Sequence, residues 1–182
     1  VLGNVTNTST HTSSSTDGGL ILIGTQNQTL SGVGGVYGNI TMNNSSGASL
    51  VNNATINGRL TFTNGSIYID DYQLTFGQGA TIGGTPSKTS MIILNGALSD
   101  QGVRKLFPSG PSAEFTMPIG VSGKYTPAAY TISSATTPGS ITVRPVNRRH
   151  PAVVVPAENE LAYYWKVDST GLEGVTISHT YQ

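Results

Sequence analysis

The chain has no cysteine, which removes disulfide staples, thiol nucleophiles and cysteine-based zinc sites at once. Charge is scarce as well. Nine Lys and Arg stand against nine Asp and Glu in 182 residues, giving a formal net charge of zero and a sequence pI of about 7.0. A phosphate backbone or an anionic lipid surface calls for a basic patch, so nucleic acid and membrane surfaces are excluded as main partners. Long apolar runs are also missing. Residues 20–23, 91–94 and 153–155 are typical, far short of the ~20 apolar residues a membrane-spanning helix needs. No initiator Met and no charged segment leading into an apolar one is present, so the chain reads as an excised piece of a larger protein.

What is abundant is Gly, at 23 residues, together with Thr, Ser and Asn. Thr favours strands, while Gly and Asn supply the corners between them. This is an all-β composition with no long amphipathic helical pattern. It is uneven along the chain. Up to residue 100 the only cations are Arg59 and Lys88 and the only proline is Pro86, whereas seven Lys or Arg and eight Pro follow. A boundary is expected near residues 85–100.

Shifting the sequence by 20 residues aligns Leu20, Ile40, Leu60 and Ala80 in one apolar column, and Leu22, Met42, Phe62 and Ile82 in a second. Another side aligns Val36 with Ile56 and Phe76, and Gly34 with Ala54 and Leu74; a weaker third includes Leu30 and Leu50. Within one period, Leu60-Thr61-Phe62, Ile67-Tyr68-Ile69 and Leu74-Thr75-Phe76 are in-out-in triplets, the period-2 signature of a strand with one buried face. Corner residues such as Asn64-Gly65 follow them. Three short sides closing a coil of about twenty residues are the pattern of a right-handed parallel β-helix. The rival is an antiparallel meander, because Asn57-Gly58 and Asn64-Gly65 are hairpin signals. A meander gives no reason for columns that match at a fixed shift.

The expected organisation is a linker or truncated coil over 1–17, β-helix repeats over 18–90, and a β-sandwich over 91–182 that caps the open end of the coils. Sandwich strands are expected at 91–94, 103–107, 113–119, 128–133, 140–146, 152–155, 161–168 and 173–181, punctuated by Pro and Gly. In the last two, Tyr163, Trp165 and Val167, and Val175, Ile177, His179 and Tyr181, would form the buried faces.

The segments Tyr37-Gly38-Asn39-Ile40-Thr41-Met42-Asn43-Asn44, Ala54-Thr55-Ile56-Asn57-Gly58-Arg59-Leu60-Thr61-Phe62-Thr63-Asn64-Gly65 and Leu74-Thr75-Phe76-Gly77 carry a family likeness. So do Phe115-Thr116-Met117-Pro118-Ile119-Gly120, Tyr125-Thr126-Pro127 and Tyr164-Trp165-Lys166-Val167. Together they resemble the adhesin-like repeat modules of large exported surface proteins from Gram-negative bacteria with type IX secretion, over most of residues 20–182. The resemblance implies an extracellular or cell-surface location, with neighbouring domains of the same larger chain as partners. The C-terminal sorting domain usual in that family is not among these motifs, as expected of a fragment.

Candidate chemistry is thin. His11, His150 and His179 sit at no metal or catalytic spacing, and His179 reads as a core-rim residue. Arg148-Arg149-His150 reads as a solvated loop, and Asp70-Asp71 is a corner pair without the six to eight oxygens that Ca²⁺ takes. Polysaccharide lyases and hydrolases need clustered acids or bases, which the repeat half lacks. Gly32-Val33-Gly34-Gly35-Val36-Tyr37 and Gly77-Gln78-Gly79 are corner glycines and not dinucleotide loops, and Ser122 completes no nucleophile elbow. Eight Asn-x-Ser/Thr sequons, at Asn4, Asn7, Asn27, Asn39, Asn43, Asn44, Asn53 and Asn64, follow from the Asn/Thr/Ser-rich composition. A Thr41/Thr61/Thr81 ladder invites an ice-binding reading, but its neighbouring column Asn43, Thr63, Gly83 is irregular. Tyr68, between inward Ile67 and Ile69, should face out with Tyr72 nearby, which motivates a contact with surface polysaccharide. The expectation is a non-catalytic structural or adhesive module without cofactor or metal, with a carbohydrate-binding module as the alternative and a polysaccharide-acting enzyme fragment behind it.

Overall fold

The computed structural model describes residues 1–13, 18–153 and 161–182. The fold is all-β, and among the described residues no helix is long and apolar enough to cross a membrane. After β1 (Val5–Thr6) come β2 (Leu20–Leu22), β3 (Gln28–Ser31) and β4 (Val36–Tyr37), then β5 (Ile40–Asn43), β6 (Ala48–Leu50) and β7 (Ala54–Ile56). The same three-strand order repeats in β8 (Arg59–Asn64), β9 (Ile67–Tyr68) and β10 (Leu74–Phe76), and again in β11 (Thr81–Gly84), β12 (Ile92–Leu94) and β13 (Val103–Phe107). The chain continues through β14 (Ser112–Met117), β15 (Ile119–Val121), β16 (Lys124–Tyr125) and β17 (Ala128–Ser134), then β18 (Gly139–Val146), β19 (Tyr164–Thr170) and β20 (Thr176–Tyr181).

Strands of the same rank in each triplet pair in parallel. Sheet I is β11-β8-β5-β2, sheet II runs β1-β3-β6-β9-β12-β15-β16, and sheet III runs β4-β7-β10-β13 before two antiparallel strands, β18 and β19. Sheet IV is the antiparallel set β14-β17-β20. The boundary expected between residues 90 and 91 does not interrupt the pairing: β12 lies parallel to β9 and β15, and β13 lies parallel to β10. At the other end β1 pairs in parallel with β3, and Thr10 bridges Val36, so residues 1–13 add a rung; residues 14–17 lie outside the described ones. The strand expected at 152–155 falls partly outside them too.

Registers keep most members of the columns in line and correct three of them in one residue each. Leu20, Ile40 and Leu60 stack, as do Leu22, Met42 and Phe62, but the next residue above Leu60 is Ile82 and not Ala80, and above Phe62 it is Gly84 and not Ile82. Tyr37, not Val36, stacks on Ile56, which stacks on Phe76. The cause is corner length. From the last inward residue of sheet III to the first of sheet I, the intervening residues grow from Gly38-Asn39 to Asn57-Gly58-Arg59 to residues 77–81, so the sequence shift departs from 20 while inward residues stay in line. Slipping a strand by one residue would turn its apolar set outward, so the corners absorb the difference. The outward ladder consequently reads Ile21, Thr41, Thr61, Gly83, without Thr81.

The triplets behave as read: in Leu60-Thr61-Phe62 and Leu74-Thr75-Phe76 the outer residues are buried and the middle Thr is not. Each such apolar side chain contributes about 1.5–3 kcal/mol by leaving water. Asn64-Gly65 makes a corner and not a hairpin, because β8 and β9 belong to different sheets. Gly65 is required there: its φ is 85°, and a Cβ would collide with the Asn44 carbonyl oxygen one rung away.

Asparagines hold the rungs together at the corners. Asn53 Oδ1 accepts from Gln73 N at 2.9 Å, Asn52 Oδ1 from Gly32 N at 3.0 Å and Asn39 Oδ1 from Arg59 N at 2.9 Å. Buried Asn44 places Nδ2 within 2.8 Å of Gln26 O and 3.0 Å of Gln28 Oε1, so its sequon is inside the fold. Corner main-chain groups are otherwise orphans, and these amides satisfy them.

The last two strands depart from the expected one-sided burial. Val167 and Val175 are exposed, as is His179, while Trp165, Ile177 and Tyr181 are half-buried. Trp165 Nε1 donates to Thr126 O at 3.0 Å, so the indole is held at the margin of the core.

Candidate functional site

The column Tyr37/Ile56/Phe76 continues with Lys105. Val103, Lys105 and Phe107 are the inward residues of β13, so an ammonium is carried into the interior by strand alternation alone. Lys105 is only 3% exposed. Its Nζ donates to the carbonyl oxygens of Gly77 at 2.6 Å, Gln78 at 2.8 Å and Ala80 at 3.2 Å, and lies 4.5 Å from the centre of the Phe115 ring. Burial pushes its pKa down to about 8. The three carbonyls and the ring face work the other way, favouring the charged form. All three N–H groups are engaged by main-chain oxygens, which leaves none for a substrate.

Lys105 lies at the wall of a cleft of about 770 Å³. One wall is β11 with its preceding corner, through Ala80 and Ile82; the other is β14, through Ser112, Glu114 and Phe115. Ser112 Oγ is buried without a hydrogen-bond partner, and Glu114 is exposed on the rim. Glu114, Thr116 and Tyr125 also line a smaller neighbouring hollow, so the two depressions share a rim. A buried, fully bonded amine and an exposed carboxylate do not make a general acid–base pair. The cleft can hold an uncharged or extended ligand by shape and by main-chain hydrogen bonds.

The sequence-based candidates lie elsewhere. Tyr68 is half-buried on the outer face of β9, its ring edge against Gly47 of the neighbouring rung, where a Cβ would meet it. Tyr72 is half-buried and packs against the core. Among the described residues neither ring stacks on another aromatic. Asp70 has φ 45°, and Asp71 Oδ1 accepts from Asn95 Nδ2 at 3.4 Å. Among the described residues no group of three or more His, Asp or Glu is placed to hold a metal. Asp100 is buried, its Oδ2 accepting from Gly96 N at 2.8 Å and Ala97 N at 3.1 Å, with its pKa raised chiefly by desolvation. Arg148, Arg149 and His150 are exposed, and the His150 ring meets Tyr164 edge-on at 4.8 Å.

Sequence reasoning missed two groups. One is Lys105, whose signal was a lysine at an inward position between Val103 and Phe107. The other is a run of rings from Tyr163, just before β19, across β19, β20 and β17: Tyr163 to Trp165 at 5.2 Å, Trp165 to Tyr181 at 4.9 Å and Tyr181 to Tyr130 at 6.1 Å. Tyr130 and Tyr181 share a 2.9 Å hydroxyl hydrogen bond, and burial raises the Tyr130 pKa. Comparison with family models, with curated proteins and with solved structures finds no match.

Proposed function

We propose that this chain is a non-catalytic extracellular module, a right-handed parallel β-helix closed by an antiparallel cap, that serves as stalk, spacer or adhesive surface of a larger bacterial surface protein of the adhesin-like, type IX-secreted kind. The observation that carries this reading is the cyclic order of the three parallel sheets, each rung laid on the last with neutral polar residues outward. Such a stack gives length and a repetitive face at little cost in sequence. The fully bonded Lys105 supports a structural assignment for the one buried amine at the cleft.

Contact with surface polysaccharide is the second reading. It rests on Tyr68 with Tyr72, and is favoured further by the ring series Tyr163, Trp165 and Tyr181, since aromatic faces can lie against sugar rings. One panel of acidic and neutral polysaccharides tests both readings. Retention without release of reducing or unsaturated ends is expected for an adhesive module, and neither for a pure spacer. Sustained turnover would overturn the non-catalytic reading. Retention lost in Tyr68→Ala places the contact on sheet II; retention lost only in Trp165→Ala moves it to the cap.

A further inference from the structure

The three parallel sheets stop at different heights. Strands arrive in the order sheet I, II, III through β11, β12 and β13, and sheet II then gains β15. The strand due next in sheet I is β14, but it turns aside to pair with β17, and β11 is left as the end of its sheet. The cleft opens between these two strands.

The open edge of β11 carries main-chain groups in known directions. Thr81 N donates to Gly58 O and Thr85 N to Phe62 O, each at 3.2 Å, toward β8. A trans peptide sets each carbonyl opposite the next N–H, so the carbonyls of Ala80 and Gly84 face the other way, and alternation sends the N–H and C=O of Ile82 there too. Ala80 O is taken by Lys105 Nζ. Among the described residues no strand pairs with the rest of that edge. Ile82 and Gly84 both line the cleft, and across from them stands the unpartnered Ser112 hydroxyl.

We propose that this cleft is a strand-acceptor site: it takes an extended segment of a separate polypeptide, hydrogen-bonded to β11 in the place of the missing fifth strand of sheet I. Main-chain donors and acceptors at strand spacing are matched by another extended main chain, the basis of recognition by strand addition. A second copy stacked end to end does not fit, because sheets II and III continue past this level into antiparallel β16, β18 and β19. The chemistry of the guest follows from the walls. Apolar residues at alternate positions meet Ala80, Phe107 and Phe115, and a basic residue meets Glu114 at the rim.

The β8 sequence (Arg59–Asn64) has that pattern and already pairs with the other edge of β11, so a synthetic peptide of this sequence is the probe. Saturable binding to the intact chain is expected, with slowed amide hydrogen exchange at Ile82 and Gly84. Ile82→Pro removes an outward N–H that no ladder uses and should weaken the peptide about tenfold, with a lowered but still cooperative melting transition because the Ile82 side chain no longer packs over Leu60. Should that variant not fold, Ala113→Trp, at an exposed position on the opposite wall, should block binding by filling the cleft. Unchanged exchange at Ile82 and Gly84 up to the solubility limit of the peptide overturns the proposal. So does equal binding to the parent and both variants. An oligosaccharide that shifts Glu114 and Tyr125 signals without protecting these amides, where the peptide fails, assigns the cleft to sugar instead.

Discussion

In the parallel stack a strand as short as Ala54–Ile56 buries both of its outer residues, whereas Tyr164–Thr170 in the antiparallel end is more than twice as long and has none fully buried. The stack carries its core on columns that cross every rung, such as Leu22, Met42 and Phe62. In the antiparallel end the core is carried by β17 and β18, through Tyr130, Ile132, Ile141 and Val143, while the outer strands are held by cross-strand pairs: Arg144 to Asp168 at 2.7 Å, the Tyr130 and Tyr181 hydroxyls, and rings in contact. Short strands suffice where each is sandwiched between two like itself. The outermost antiparallel strands, β19 and β20, are longer and leave most of their residues only partly covered.

Breaking a column should therefore cost far more than altering the end. Phe62→Asp places a carboxylate in the fully buried column, and a loss of at least about 5 kcal/mol, enough to abolish the cooperative thermal transition, is expected. A variant that melts like the parent would refute the column. Lys105→Met comes next. It leaves three carbonyls without donors while sparing the desolvation of an ammonium, and a net loss of about 2–3 kcal/mol in denaturant unfolding is expected. A more stable variant would show that desolvation outweighs the three bonds.

The same lysine gives the comparison a pH axis. With the folded pKa near 8 and the ordinary value at 10.5, the unfolded chain holds the extra proton between these limits. Stability relative to Lys105→Met should then rise as pH goes from 8 to 10.5. The raised pKa values of buried Tyr37 and Tyr130 act in the opposite sense above pH 10, equally in parent and variant. Parallel pH-stability curves for the two proteins would exclude a depressed lysine.

Smaller effects sharpen the contrast. Asn53→Ala removes one inter-rung acceptor and should cost about 1 kcal/mol. Val175→Asp, at an exposed site just before β20, should stay within about 0.5 kcal/mol.

The sequence carried the parallel stack because inward columns recur and in-out-in triplets advertise a buried face, as in Leu60-Thr61-Phe62. It misplaced Ala80, Ile82 and Val36 because a fixed shift assumes corners of equal length, and corner length has no apolar signature. It misjudged Val167, Val175 and His179 because alternation shows which residues share a face but not whether anything covers it. The cleft was invisible for another reason: β14 leaves the order of the sheets only because it pairs with β17, a long-range choice. Lys105 was legible in principle, an inward lysine between Val103 and Phe107, but its acceptors lie at a corner of the preceding rung.

The uneven corners have a consequence for how such a chain can change. From Gly38-Asn39 to residues 77–81, segments between the same two sheets differ in length without disturbing the columns they join. Insertions and deletions are therefore tolerated at these corners and forbidden within the triplets. A chain built this way can lose its fixed period of twenty and still keep the same interior.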